Sequence, residues 1–389
     1  MSSWVGRRFE VTVDRVAHGG HCVARHEGRV VFVRHTLPGE RVVAAVTEDR
    51  GGSFCRADAV AVLSASPERV APACPFSGPG LCGGCDWQHV TPAEQRRLKA
   101  AVVAEQLSRL AGLTVPVTVE ELPGGPLSWR TRGRMTVDRG GRPGFYAHRS
   151  HRVVAVDDCP IAAPGTVDAV VGRRWRPGAS LTVALDATAH THVLEDDRVV
   201  TGGEPVELAA RRRWRVAPDG FWQTHPDAAD VYAEVVQAWS GARPGDVAWD
   251  LYSGVGLFAS VLAAQVGSSG TVLAVESVGP AASFAERNLA DLEQVRVVAG
   301  RVEHVLADAP SPRVVVLDPP RRGAGRAVVD AIARQGARRV VYVACDPAAL
   351  ARDVAGFRGH GYELAELRVF DAFPMTHHVE CVALLTADG

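Results

Sequence analysis

The C-terminal part of this 389-residue chain carries a thiol, two carboxylates and a glycine turn whose spacing suits covalent chemistry. Cys345 ends the run VVYVA (340 to 344), which reads as a buried strand. Asp346-Pro347 follow, and a proline that cannot donate to a ladder stops the strand. An isolated cysteine is usually a small core hydrophobe, but a thiol at the carboxyl end of a buried strand stands where an open α/β sheet meets its ligand. Asp318-Pro-Pro-Arg321 closes an earlier apolar run and directs Asp318 and Arg321 toward the same crevice. Glu380, in DAFPMTHHVE (371 to 380), enters an otherwise apolar strand, where a carboxylate is costly unless used or paired. His377-His378 are read as strand neighbours pointing to opposite faces, which argues against a two-histidine chelate.

The turn Asp250-Leu-Tyr-Ser-Gly-Val-Gly256 joins a strand to a helix, and its glycines allow a ligand close to the backbone. Glu276 ends the next strand, placed to take both hydroxyls of a ribose, and no third glycine follows to cradle a pyrophosphate. That combination favours S-adenosylmethionine over a dinucleotide. A methyl donor, a thiol and a carboxylate suit methylation at C5 of uracil. The thiolate adds at C6, C5 becomes nucleophilic and takes the methyl group, and a base removes the C5 proton as the thiolate leaves. Cys345 is then the nucleophile and Glu380 the general base.

These residues need a doubly wound sheet, and the rhythm from about 244 supplies one. VAWDL, TVLAVE, RVVAG, VVVL and VVYVA alternate with helical stretches, and LAELRVFDAF and HHVECVALLT, with no helix between them, pair antiparallel. Upstream, residues 7 to 64 alternate in period two between glycine turns, which suggests a five-stranded barrel. Thr91 as cap, Pro92 in the first turn and Glu94 start a helix over 92 to 111, with Leu98, Val102, Leu107 and Leu110 on its apolar side. Residues 128 to 138 and 152 to 161 read as strands around a hairpin, with Arg130, Arg132 and Arg134 on one face as a phosphate track, and RRRWRV (211 to 216) as a second basic cluster.

Cys74-x7-Cys82-x2-Cys85 lies in a proline- and glycine-rich loop with no core of its own, and Cys159-Pro160 is the natural fourth ligand. Four thiolates suit zinc or an iron–sulfur cluster; the spacing leans slightly to zinc, the remote Cys-Pro the other way. Cys22, Cys55 and Cys381 lie within strand patterns and are read as structural. Eight cysteines, no apolar run of membrane-spanning length and no apolar leader core favour a cytoplasmic protein whose thiols serve metal or catalysis. Net charge of −1 means that any nucleic-acid grip rests on local clusters.

Residues 19 to 42, GGHCVARHEGRVVFVRHTLPGERV, resemble a TRAM domain, an OB-like RNA-binding barrel. End to end, the chain resembles the RNA uracil-C5 methyltransferases, which act on 23S rRNA or tRNA: FWQTH, DLYSGVG, DPPR, YVACDP and FPMTHHVE occur in family order. The resemblance implies three domains: a TRAM barrel over 1–66, a small central α+β domain with the cysteine cluster over 67–220, and a Rossmann-like methyltransferase domain over 221–389. It implies a [4Fe-4S] cluster on Cys74, Cys82, Cys85 and Cys159, and S-adenosyl-L-methionine against Gln223, Tyr252, Glu276 and Asp318. RNA is the implied partner, with no membrane and no obligate protein partner. Asp346, His225 and Leu257 stand where the family commonly has Asn, and Asp346 is expected to raise the thiol pKa. Two rivals remain: a cytosine-C5 methyltransferase, which normally has a Pro-Cys nucleophile loop where Ala344 precedes Cys345 here, and a non-catalytic, cluster-bearing RNA-binding protein.

Overall fold

A computed structural model describes residues 3–387. The N-terminal alternation becomes five strands, β1 (Arg8–Ala17), β2 (His21–His26), β3 (Arg29–Arg34), β4 (Arg41–Glu48) and β5 (Phe54–Ser64), closed as a barrel in the order β1-β2-β3-β5-β4. Val11, Val13, Val31, Val33, Val42 and Val46 fill it, with Cys22 and Cys55 buried among them. Closure removes the free edges that so short a sheet would otherwise expose. Trp87, Val90, Leu98 and Val102 from the next segment complete the same core.

That segment contains α1 (Pro92–Gln106), capped by the Thr91 hydroxyl, which accepts from the Glu94 N–H at 3.4 Å. The helix does not run on to residue 111. A π-helical turn over Leu107–Ala111 intervenes and rotates the later side chains. Leu107 and Ala111 are therefore buried, while Leu110, expected on the apolar side, is 39% exposed.

A short strand β6 (Val119–Glu121) follows. Then β7 (Arg132–Val137), β8 (Pro143–Tyr146), β9 (Val153–Ala155), β10 (Ser180–Leu185), β11 (Thr191–Glu195) and β12 (Arg198–Thr201) form a sheet in the order β12-β11-β10-β7-β8-β9. A hairpin of β13 (Val206–Ala209) and β14 (Arg212–Arg215) leads out of it.

The remainder alternates: α2 (Ala228–Ser240), β15 (Val247–Leu251), α3 (Leu257–Val266), β16 (Thr271–Glu276), α4 (Gly279–Asn288), β17 (Val295–Ala299), α5 (Val302–Val305), β18 (Val314–Leu317), α6 (Arg326–Arg334), β19 (Arg339–Ala344), α7 (Pro347–Arg358), β20 (Tyr362–Asp371) and β21 (Glu380–Ala387). The sheet order is β17-β16-β15-β18-β19-β21-β20-β6. The first five strands are parallel; β21 enters antiparallel between β19 and β20, and β6 closes the edge. The order reverses at β15 and β18, the switch point where open sheets bind ligands. Among the described residues, no helix is long and apolar enough to cross a membrane.

Candidate active site

Strand alternation gathers the reactive groups. Trp249, Leu251, Val275, Leu317, Tyr342, Ala344 and Cys381 face one core of the large sheet. Ala248, Ala274, Val316, Val343, Val382 and Phe370 face the other, beneath α2 and α3. With a side-chain period of two, Asp250, Glu276, Asp318, Cys345 and Glu380 all fall on the second face, at the end where the parallel strands finish and β21 begins.

Burial and mutual repulsion set the charge state of this cluster. Glu380 is only 3% exposed; burial, with Asp318 adding, holds its carboxyl well above the ordinary range. Burial pushes Asp318 up to about 7. The Cys345 thiol is pushed up to about 12 by burial and by Glu380 and Asp318, against the pull of Arg321. Asp250 is raised to about 8 by burial despite accepting the Ala259 N–H at 2.7 Å. Burial thus favours the protonated forms of all four groups. Asp250 Oδ1, Ser253 Oγ and the Tyr232 hydroxyl are buried without hydrogen-bond partners, as is His225 Nε2, and such groups call for a partner.

The glycine turn is shaped for close approach. Tyr252 adopts a left-handed φ of 62°, uncommon for a non-glycine residue and typical of functional turns. Gly256 has φ 101°, and a Cβ there would meet Leu289 at 2.5 Å, so the turn into α3 requires glycine. Glu276 braces the turn by accepting the Gly254 N–H at 2.9 Å and the Val278 N–H at 2.6 Å. Gln223 is buried just before α2. Leu257 begins α3 and packs into the core beneath it.

The segment entering Glu380 is held from three sides. From α1, Lys99 Nζ donates to Asp371 Oδ1 at 2.5 Å and to the Phe373 carbonyl at 3.1 Å, while Gln95 Oε1 accepts the Met375 N–H at 2.8 Å. From the cysteine loop, the Asp86 and Trp87 N–H groups donate to the Met375 carbonyl, and Asp86 Oδ2 pairs with His377 Nδ1 at 2.6 Å. From the barrel, Arg34 reaches Asp86 at 3.3 Å. His377 and His378 precede β21 rather than lie in it, so the opposite-face expectation fails; their rings are 4.1 Å apart. They nevertheless diverge, His377 to Asp86 and His378 Nε2 to Arg321 at 3.5 Å.

Asp346 is engaged by two partners other than the thiol. Its Oδ1 accepts the Ala349 N–H at 2.7 Å and caps α7, and its Oδ2 pairs with His18 Nε2 of the barrel at 3.1 Å. Burial alone would raise its pKa, but these contacts hold it below the ordinary value. The groups that raise the Cys345 pKa are Glu380 and Asp318. His225 is buried, accepts the Asp227 N–H on Nδ1, and stacks near Trp129 at 6.3 Å.

Cys74, Cys82, Cys85 and Cys159 line one small cavity with Phe76, Arg130 and Phe145. Burial raises all four thiols, Cys85 to about 12. A tetrahedral zinc site would draw its sulfurs to about 3.8 Å of one another. Among the described residues, no group of three or more His, Cys, Asp or Glu is arranged to hold a metal ion. The arginine track is also corrected. Arg132 is buried against Glu207 at 2.7 Å, and the Arg130 Nε–H donates to the Arg132 carbonyl, leaving Arg134 exposed. In the second basic cluster, Arg212 and Arg215 pair with Asp291 and Glu204.

Three residues escaped the sequence reading. Lys99 carried a signal, as the chain's one lysine on a helix face that was otherwise turning inward. Tyr232 and His18 carried none, because their roles arise from contacts distant in sequence.

The chain matches the TRAM domain model over residues 3–60 and the tRNA (uracil-5-)-methyltransferase model over residues 292–388. It is 49% identical to an uncharacterized RNA methyltransferase of Streptomyces coelicolor, covering 98% of this chain and 93% of that one. A Corynebacterium diphtheriae relative of the same description is 38% identical over 98% of this chain and 97% of its own. Among solved structures, a Pyrococcus abyssi tRNA (uracil-54, C5)-methyltransferase in complex with S-adenosyl-L-homocysteine superposes with a TM-score of 0.73 at 21% identity, covering 97% and 99% of the two chains.

Proposed function

This chain belongs to the RNA uracil-C5 methyltransferase family, and we propose that it methylates C5 of a specific uridine in tRNA or 23S rRNA, in the cytoplasm, through a covalent adduct on Cys345. The observation that carries this reading is that Cys345, Asp318 and Glu380 share one face at the carboxyl end of the parallel strands, beside a strained glycine turn.

S-adenosylmethionine, when bound, supplies the electrophilic methyl group. Gln223, Tyr252, Glu276 and Asp318 would hold it; the fit rests on the left-handed turn, the carboxylate at the end of β16, and the unpartnered Ser253 Oγ and Asp250 Oδ1. The Cys345 thiol gives up its proton to solvent as substrate binds; the sulfur then forms a bond to C6 of the uracil, and the displaced electron pair moves toward O4. Arg321 is the cation positioned to favour the thiolate, since its charge opposes those of Glu380 and Asp318. After C5 has gained its methyl group, Glu380 removes the C5 proton. The C5–C6 double bond re-forms and the thiolate departs. The burial of Glu380 keeps it a strong base once ionised, and shields the adduct from water. The target base enters from a flipped-out nucleotide, and the barrel is the natural RNA grip.

Cys74, Cys82, Cys85 and Cys159 would hold a [4Fe-4S] cluster. Four thiols around a cavity suit a polyatomic cluster better than a single ion. Bound there, it crosslinks the cysteine loop to the segment around Cys159. Asp346, engaged by His18 and by the α7 cap, gives no support to a silent active site. The test is incubation of the enzyme with unmodified tRNA and 23S rRNA transcripts and S-adenosylmethionine, followed by nucleoside mass spectrometry. The expected product is 5-methyluridine, absent with Cys345→Ser. 5-Methylcytidine, or no methylated pyrimidine, would sink the proposal.

A further inference from the structure

We propose that Tyr232 is a positioning residue for the base, its hydroxyl donating to the Glu380 carboxylate when the substrate is bound. The inference rests on the methyl-transfer reading above and extends it to a residue on α2. Tyr232 is fully buried, and its hydroxyl has no hydrogen-bond partner. Leaving a hydroxyl in that state forfeits the hydrogen bonds it makes to water in the unfolded chain. Phenylalanine would fill the same space without the cost, so packing alone does not explain the oxygen. Unpartnered groups of this kind in a folded protein mark either strain or a ligand-dependent contact.

The position narrows the contact. Tyr232 lies in the second turn of α2, in the core that faces the reactive side of the sheet. Its ring packs on Phe370 at 5.6 Å, and Phe370 is the cross-strand partner of Glu380. Side chains directly opposite in an antiparallel pair share a face, so Glu380 and Phe370 project toward the same helix. The charges acting on the Tyr232 hydroxyl are those of Glu380, Asp318, Cys381 and Cys345, with Glu380 the largest of these. His225, another buried donor without a partner, answers instead to the charges of Asp227 and Asp371.

In the free protein Glu380 holds a proton and needs no donor. Removing the C5 proton requires the carboxylate. A hydroxyl donor favours the ionised form and fixes its orientation. A donor lost from a charged group typically costs enough for about a tenfold or larger rate loss and about one pH unit of pKa.

The test compares wild type and Tyr232→Phe on RNA carrying tritium at uridine C5. Tritium release is followed in single turnovers from pH 5.5 to 9, with thermal unfolding as the control for folding. The expected result is release slowed about tenfold at neutral pH, with the acid limb moved to higher pH because Glu380 ionises less readily. Unfolding temperature should be equal or higher, since a buried unpartnered hydroxyl has been removed. An unchanged limb and rate in Tyr232→Phe, beside an active wild type, overturns the inference alone. A wild type that releases no tritium overturns the methyl-transfer reading, and this inference with it.

Discussion

Replacing Lys99 with methionine should destabilise the protein in a pH-dependent way. Lys99 and Asp371 are 0% and 3% exposed in their side chains and meet at 2.5 Å. Burial lowers the lysine pKa, and the Asp371 charge is what keeps the ammonium in place. Cutting such a pair on one side strands a buried charge, at about 3–5 kcal/mol. The stranded carboxylate has one escape, which is to take up a proton. From an ordinary carboxyl near 3.9, that costs about 1.4 kcal/mol per pH unit, hence about 4 kcal/mol at pH 7 and about 1.5 kcal/mol at pH 5. A carboxyl protonated only in the folded state has a raised folded pKa. Its penalty therefore grows as pH rises above the unfolded value and fades toward it. Urea unfolding of wild type and Lys99→Met at pH 5, 6 and 7 measures the difference. A double variant, Lys99→Met with Asp371→Asn, should recover part of the loss. A Lys99→Met penalty below about 1 kcal/mol at pH 7, or one that does not shrink at pH 5, would refute the reasoning.

Three further outcomes follow from the site. Glu380→Gln should fold normally, because the carboxyl it replaces is already protonated in the free protein, yet lose about 10²–10⁴-fold in turnover and accumulate protein–RNA adduct on denaturing gels; turnover within tenfold of wild type would contradict it. Alkylation of Cys345 in the free protein should still be accelerating between pH 9 and 10, since its thiol is pushed up to about 12; a plateau below pH 8, mapped by peptide mass spectrometry, would show that the thiol is already activated. Asp346→Asn should leave that alkylation curve in place and cost no more than about 1 kcal/mol, because asparagine still caps α7 and the His18 pair is partly exposed; a curve displaced by a full pH unit would count against it.

The positions of the candidate site residues were legible because strand chemistry is local. Apolar runs ending at Glu276, Asp318 and Cys345 set both the strand and the end at which each group appears. The barrel was legible for the same reason, through alternation and glycine turns. Period-two reasoning failed where partners came from elsewhere. Arg132 looked like a phosphate contact until Glu207, distant in sequence, took its charge. Asp346 looked like an intrusive charge until His18 reached it from the barrel. Leu110 left the apolar side because a π-turn, which no residue pattern announced, rotated the end of the helix. Histidines 377 and 378 were assigned to a strand that begins only at Glu380. Tyr232 was invisible because an aromatic residue on a buried helix face reads as core, and only the missing partner of its hydroxyl distinguishes it.

The claim at the centre is a covalent bond between Cys345 and C6 of a uridine. Fluorine at C5 cannot leave as a proton, so 5-fluorouridine-substituted RNA should arrest the reaction after methyl transfer. The expected result is a denaturation-resistant protein–RNA band that requires S-adenosylmethionine, vanishes with Cys345→Ser, and maps to the Cys345 peptide by mass spectrometry. A folded, cofactor-binding protein that gives no such band, or a band mapped to another residue, would contradict it.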